Sequence, residues 1–147
     1  MSDPEGLKVF QCGVSWYGYV SNRETTLLTG DFTWESEFCQ QGPDVWPPPV
    51  RAEDSFDKLG NVVGPLLLCH GGNDPVCPVS HSEMVYRALR RRGVPTELVV
   101  YPGFTHGFGS GKAGHDAHWR TLQWFLRHLP PSPGDAQVTK ASEPETV

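Results

Sequence analysis

The sequence has little that is hydrophobic in long stretches. A membrane span needs roughly 18–20 consecutive apolar residues, and the longest run is Pro65-Leu66-Leu67-Leu68-Cys69, so no membrane partner is expected. The first residues, Met1-Ser2-Asp3-Pro4-Glu5-Gly6, have neither the positive region nor the apolar stretch of a secretory signal. There is no basic excess: 12 Lys and Arg stand against 17 Asp and Glu, a net charge of −5, which argues against nucleic acid as a partner. The four cysteines (Cys12, Cys39, Cys69, Cys77) form no C-x-x-C pair, so zinc and thioredoxin-type chemistry are not expected. No metal and no cofactor is expected. Cys12 and Cys69 lie inside apolar, strand-like runs, where a free buried thiol is the usual state; a reducing cytoplasm is the expected location. No internal repeat is present, and Asn22-Arg23-Glu24-Thr25 is not a glycosylation sequon.

What is present fits one ordinary domain of 147 residues. Sixteen aromatics (Trp 5, Tyr 4, Phe 7) are enough for a core. Sixteen glycines and fourteen prolines, about a fifth of the chain against a usual share of roughly 12%, indicate many turns. Residues 7–20 read as a strand running into a loop, with Val9, Phe10, Cys12 and Val14 as its β-compatible positions. Residues 21–60 are irregular, with Trp34, Phe38, Trp46 and the run Pro47-Pro48-Pro49; the proline run is expected to pack as a rigid loop. Leu66 to His70, stopped by Gly71-Gly72, reads as a short strand buried on both faces. Ser80-His81-Ser82-Glu83 has the pattern of a capping box. The helix behind it places Met84, Val85, Ala88 and Leu89 on one face and ends in Arg90-Arg91-Arg92 and Gly93, cations that complement the helix dipole. Thr96 to Tyr101 reads as another strand. Trp119, Leu122, Phe125, Leu126 and Leu129 recur at helical spacing from about Asp116 to His128. Strands alternating with helices predict an α/β fold with a parallel sheet of about three strands and helical crossovers. Residues 130–147 carry no aromatic side chain and are expected to be a disordered tail on a domain spanning 1–129.

In open parallel sheets, sites form where loops leave the C-terminal ends of strands. Two such loops stand out, Gly71 to Pro78 and Pro102 to Phe108, and each presents one titratable side chain, Asp74 and His106. An Asp that accepts from a His ring N–H fixes the tautomer and stabilises the imidazolium, the orienter–base half of a nucleophilic triad. Taken alone, an Asp in such a turn is more often a helix cap or an Asx-turn. His70, before two glycines, is expected to be structural. His115 and His118 are three residues apart but lack a third ligand, and Cys77 has nothing near it in sequence to lower its pKa.

The pattern H-G-x-x-D-x-x-x-P at 70–78, then a helix, then Arg91-Arg92-Gly93-Val94-Pro95, Tyr101-Pro102 and His106-Gly107, resembles the C-terminal part of the catalytic domain of the prolyl oligopeptidase family of serine peptidases. Phe10 to Val14 resembles the strand after the nucleophile strand, and Trp34 to Phe38 with Gly42-Pro43 the segment before the Asp strand. The resemblance covers about residues 8–129. It implies an α/β-hydrolase fold, Asp74 as the triad acid, His106 as the general base and a peptide as substrate. The family's nucleophile sits in a G-x-S-x-G elbow, and the sequence contains none: Gly13-Val14-Ser15-Trp16-Tyr17-Gly18 has one residue too many, so Ser15 is not expected to be the nucleophile. The expectation is therefore a partial fold lacking the N-terminal strands and the elbow, inactive by itself. Its first-strand edge, around Val9–Val14, would be open to pairing with another chain. The alternatives are a non-enzymatic assembly module or pseudoenzyme, and part of another α/β-hydrolase such as a carboxylesterase or a dienelactone-hydrolase-like enzyme.

Overall fold

A computed structural model describes residues 10–21, 28 and 55–131. Val9, Cys39, the aromatic and proline-rich positions between 34 and 49, and the tail beyond 131 lie outside the described residues. The elements are β1 (Gly13–Trp16), one turn of 3-10 helix (Leu59–Asn61), β2 (Leu66–Gly71), α1 (Ser80–Arg91), β3 (Thr96–Tyr101) and α2 (Lys112–His128). The three strands are parallel and lie in the order β1-β2-β3, with Leu67 opposite both Val14 and Glu97.

The lack of alternation in Leu66–Cys69 follows from where β2 lies. It is the central strand and is buried from Leu67 to Gly71. Leu67 and Cys69 face α2 and pack with Tyr101, Phe108, Ala113, Ala117 and Trp124. Leu68 faces α1 and packs with Leu59, Val62, Val85, Leu89 and Val94. A strand covered on both sides has no polar face to keep.

Helix α1 buries Val85 and Leu89 as the periodicity predicts, but the capping box does not form. Val79 is the N-cap residue, with no side-chain bond. Ser80 is already the first helical residue, one position too late to cap, and its Oγ is buried without a hydrogen-bond partner. The first turn closes on backbone instead, with His81 N–H donating to Pro78 O (3.1 Å) and Glu83 N–H to Val79 O (3.1 Å). Glu83 turns outward to Arg87 (3.2 Å). The C-terminus ends as its sequence suggests. Gly93 is left-handed (φ 74°), Val94 N–H donates to Leu89 O and Gly93 N–H to Arg90 O (both 3.1 Å), and Val94 packs in one cluster with Leu89; this is a Schellman motif with its hydrophobic contact. Arg92 does more than complement the dipole. Its guanidinium donates to the carbonyls of Leu59 (2.8 Å) and Val62 (2.9 Å), pinning the 3-10 turn.

Helix α2 begins at Lys112, earlier than the expected Asp116, and it faces the sheet with a different side. Trp119, Leu122, Leu126 and Leu129 are 60, 55, 68 and 44% exposed. The buried face is Ala113, Gly114, Ala117 and Trp124. At the start of the helix the approach is close, since a Cβ on Gly114 would run into the carbonyl of Gly109 in the preceding loop; small residues therefore mark the first turns of the inner face, and Trp124 fills its far end. Polar ties complete the docking. Trp16 Nε1–H donates to Thr121 Oγ1 (3.2 Å), Tyr101 O–H to Asp116 (2.8 Å), and Arg127 to Glu97 (2.8 Å). Arg120, which donates to Asp116 at 2.7 Å, is the main cause of that carboxyl's lowered pKa, and the Tyr101 hydroxyl adds to it.

Two outcomes follow from this packing. Ala117→Leu, which overfills the α2 face, lowers stability by about 1–3 kcal/mol, while Leu122→Ala stays within about 0.5 kcal/mol of the parent; urea unfolding of both variants distinguishes the faces. Burial pushes the Cys69 thiol up from 9.0 to about 11. The folded state therefore holds this proton where the unfolded chain has lost it. The associated stability is complete below pH 9 and is lost as pH rises toward about 11. Cys69→Ala flattens that part of the stability–pH curve, and chemical denaturation between pH 8 and about 11 measures it.

Candidate active site

Because β2 and β3 are parallel neighbours, the loops that follow them leave from the same end of the sheet. Backbone groups then zip the two loops together. Gly72 N–H donates to Tyr101 O (2.9 Å), Asn73 N–H to Phe104 O (2.9 Å), and Gly103 N–H to Asn73 Oδ1 (3.3 Å). The closeness depends on Gly71, where a Cβ would collide with the backbone carbonyl oxygens of Thr105 and Phe104. Only a residue without a side chain lets the second loop lie against the end of β2.

Asp74 and His106 meet at this junction. The Asp74 side chain is wholly inaccessible to solvent, and that of His106 is 37% exposed. Asp74 Oδ1 accepts from the backbone N–H groups of Val76 (2.9 Å) and Cys77 (2.8 Å), an Asx-type turn. Asp74 Oδ2 lies 2.9 Å from His106 Nδ1. The turn role and the His-facing role are thus both present, one on each oxygen. A carboxylate accepts, so Nδ1 carries the hydrogen, and in the neutral ring Nε2 then keeps its lone pair, the tautomer required of a general base.

Behind the pair is His70, fully buried. Its Nε2–H donates to Cys77 O (2.7 Å), and Nδ1 is then the acceptor for the Ser82 hydroxyl (2.7 Å) on α1. The same Nε2 is 3.4 Å from Asp74 Oδ2, too long to compete with the carbonyl. Ser82 thus holds His70, which holds the carbonyl of Cys77, whose own N–H holds Asp74. On the solvent side, the ring of Tyr17, at the end of β1, lies 4.8 Å from the His106 ring and 5.1 Å from that of Phe108.

The other candidates lie elsewhere. Ser15 is within β1, opposite Leu68, and lines a hollow of about 370 Å³ on the α1 side together with Phe10, Cys12, Val20 and Leu59. Gly18 folds back over its hydroxyl, 2.5 Å from where a Cβ would be. Cys77 is a buried loop residue whose backbone serves Asp74 and His70. His118 donates from Nδ1 to Gly114 O (2.7 Å) and sets its ring edge-on to Trp16 at 4.6 Å. Gly71, Asn73, Ser82 and Tyr17 were not singled out as site residues from sequence. The Gly71-Gly72-Asn73 string advertises a tight loop, but nothing local marks Ser82 or Tyr17, which act across the fold.

A parallel sheet covered by helices on both faces, with an Asp–His pair where consecutive strands end, is the architecture of the α/β-hydrolases. The sequence pattern of the prolyl oligopeptidase family matches residues 5–132, and the chain belongs to that family. It is 38% identical over 120 residues to an uncharacterized peptidase, YuxL, of Bacillus subtilis (strain 168), covering 78% of this chain and 17% of that one. It is 35% identical over 103 residues to the human acylamino-acid-releasing enzyme, covering 70% and 14%. Among solved structures, the acylaminoacyl peptidase of Pyrococcus horikoshii shares the fold with a TM-score of 0.69 at 23% identity, over 84% of this chain and 20% of that one. The chain thus spans a fifth or less of the length of these relatives.

Asp74→Asn keeps the Oδ1 acceptor for the turn but presents an N–H to His106. The imidazole then switches tautomer, and Nε2 becomes protonated while stability changes little; ¹⁵N spectra of the imidazole nitrogens read the switch. Gly71→Ala forces the two loops apart, and the same spectra show His106 Nδ1–H released from its partner to exchange with water.

Proposed function

We propose that Asp74 and His106 are the acid and the base of a serine-peptidase centre, and that this chain is the acid–base portion of a catalytic domain whose nucleophile comes from a segment bearing a G-x-S-x-G elbow. The observation that carries the reading is the 2.9 Å contact between a fully buried carboxylate and a half-exposed imidazole. In the reaction His106 Nε2 takes the proton of the serine hydroxyl as that oxygen attacks the peptide carbonyl. The imidazolium then gives the proton to the leaving amine, and water repeats the cycle on the acyl-enzyme. Asp74 stays ionised, keeps Nδ1–H in place and stabilises the imidazolium that forms.

The open side of β1 supports the second half of the proposal. Among the described residues β1 pairs only with β2, and the apolar hollow beside it is bordered by exposed Phe10. Such an edge accepts a further parallel strand, which would place the nucleophile-bearing segment next to the Asp–His pair. We also assign the chain to a reducing, cytoplasmic setting, supported by the free, buried state of Cys12 and Cys69. Among the described residues no helix is long and apolar enough to cross a membrane.

By itself the chain is expected to give no labelling with a fluorophosphonate probe. Labelling at any of its serines overturns the need for an external nucleophile. Mixed or fused with a segment carrying the elbow, it is expected to hydrolyse a peptide-derived chromogenic substrate, and His106→Ala in that assembly should lower kcat by roughly 10⁶, the size of effect seen when the base is removed from a Ser–His–Asp centre. Retention of activity by His106→Ala overturns the role given to the histidine. Light scattering of the chain alone and with the segment reads whether the two associate.

A further inference from the structure

Tyr17 is the only non-glycine residue among those described with a left-handed backbone, at φ 41°. A bulky side chain rarely adopts that conformation. The next residue is a glycine, which would adopt it freely, yet Gly18 is not among the left-handed glycines. The chain has reason to bend one residue earlier. Tyr17 N–H donates to Cys69 O at 2.8 Å, continuing the β1–β2 ladder by one residue beyond Trp16. A Cβ on Gly18 would lie 2.5 Å from Ser15 Oγ, so a side chain there would require the serine hydroxyl to turn away. The left-handed turn at Tyr17 goes with a ring that meets His106 at 4.8 Å and a tilt of 58°, with Phe108 behind it at 5.1 Å. Phe108 is itself buried and set against Tyr101 at 4.7 Å.

The loop that carries His106 is tied to Asn73 ahead of the histidine, through Gly103 N–H and Phe104 O, and has glycines on both sides of it. Gly103, Gly107 and Gly109 all have left-handed φ values (77°, 132° and 60°), and none of them would meet a neighbour with a Cβ. Asp74 grips the imidazole at one atom, Nδ1. A single hydrogen bond fixes a point but leaves the ring free to swing about it; a second contact, on the ring itself, is needed to aim Nε2. Tyr17 supplies that contact from an element anchored in the sheet.

We propose that Tyr17 is a positioning residue for His106: its ring, held out from the end of β1 by a left-handed backbone, seats the imidazole on Asp74 and directs Nε2 outward. The proposal rests on the reading of His106 as the base. Tyr17 touches no reacting atom in this account; it acts through the histidine.

The test uses the whole chain with ¹⁵N-labelled histidine and reads the exchange of the His106 Nδ1–H with water. Tyr17→Phe keeps the ring and is expected to match the parent. Tyr17→Gly accepts the left-handed backbone, removes the ring and is expected to speed this exchange roughly 2- to 10-fold, the factor that corresponds to one lost aromatic contact, while the backbone amide spectrum of β2, β3 and α1 stays unchanged. Should the glycine variant lose its fold, Tyr17→Asn takes its place, since Asn tolerates the same backbone without an aromatic ring. Parent-like exchange in a folded ring-less variant overturns the proposal. Asp74→Asn, measured alongside, separates the two levels. If that variant leaves the His106 tautomer unaltered, the acid–base reading fails and the role of Tyr17 falls with it. If it alters the tautomer while Tyr17→Gly leaves exchange unchanged, the role of Tyr17 alone is wrong.

Discussion

The site depends on how one buried carboxylate divides its two oxygens. Asp74 Oδ1 holds the backbone of its own loop through Val76 and Cys77, and Oδ2 holds His106. A buried carboxylate without partners is strongly disfavoured, so the loop must wrap it with donors, and that wrapping makes Oδ2 a rigid point on which a second loop can register. His70 and Ser82 extend the support inward to α1. Removing any donor in this chain of bonds leaves a buried acceptor short, at a cost on the order of 1–3 kcal/mol, so the network settles as a whole.

The same division explains why the site sits at the end of β2 rather than on any one loop. The strand is buried on both faces by two separate apolar clusters, which anchors its C-terminal end. Gly71 then admits the His106 loop against it, and Asn73 fastens the two loops by backbone and side chain. The two loops are thus held differently: the Asp74 carboxylate is fixed by burial and backbone donors, and the His106 ring by one hydrogen bond and the aromatic ring beside it.

Much of this was legible beforehand. The unalternating run at Leu66–Cys69 announced a central strand, Gly93 after three arginines announced a helix end, and two titratable residues in loops after successive strands announced a meeting of Asp74 with His106. The inner face of α2 was misread, because large apolar residues at helical spacing usually point inward, whereas here Ala113, Gly114 and Ala117 do so and Trp119, Leu122 and Leu126 face out. Ser80 was misread as a cap for a related reason. The motif fits the spacing, but Pro78 and Val79 carbonyls close the turn one residue earlier.

Residue order alone determined the alternation of strands and helices, the parallel sheet that such alternation requires, and the presence of a carboxyl group and an imidazole on loops that a parallel sheet must bring to one edge. These are local or topological properties, set by periodicity, turn residues and the direction of neighbouring strands. Tertiary structure alone decided which oxygen of Asp74 serves which partner, which face of α2 turns inward, and that Tyr17 and Ser82 belong to the site. Those depend on distances between elements dozens of residues apart, and no local pattern encodes how closely two packed surfaces approach.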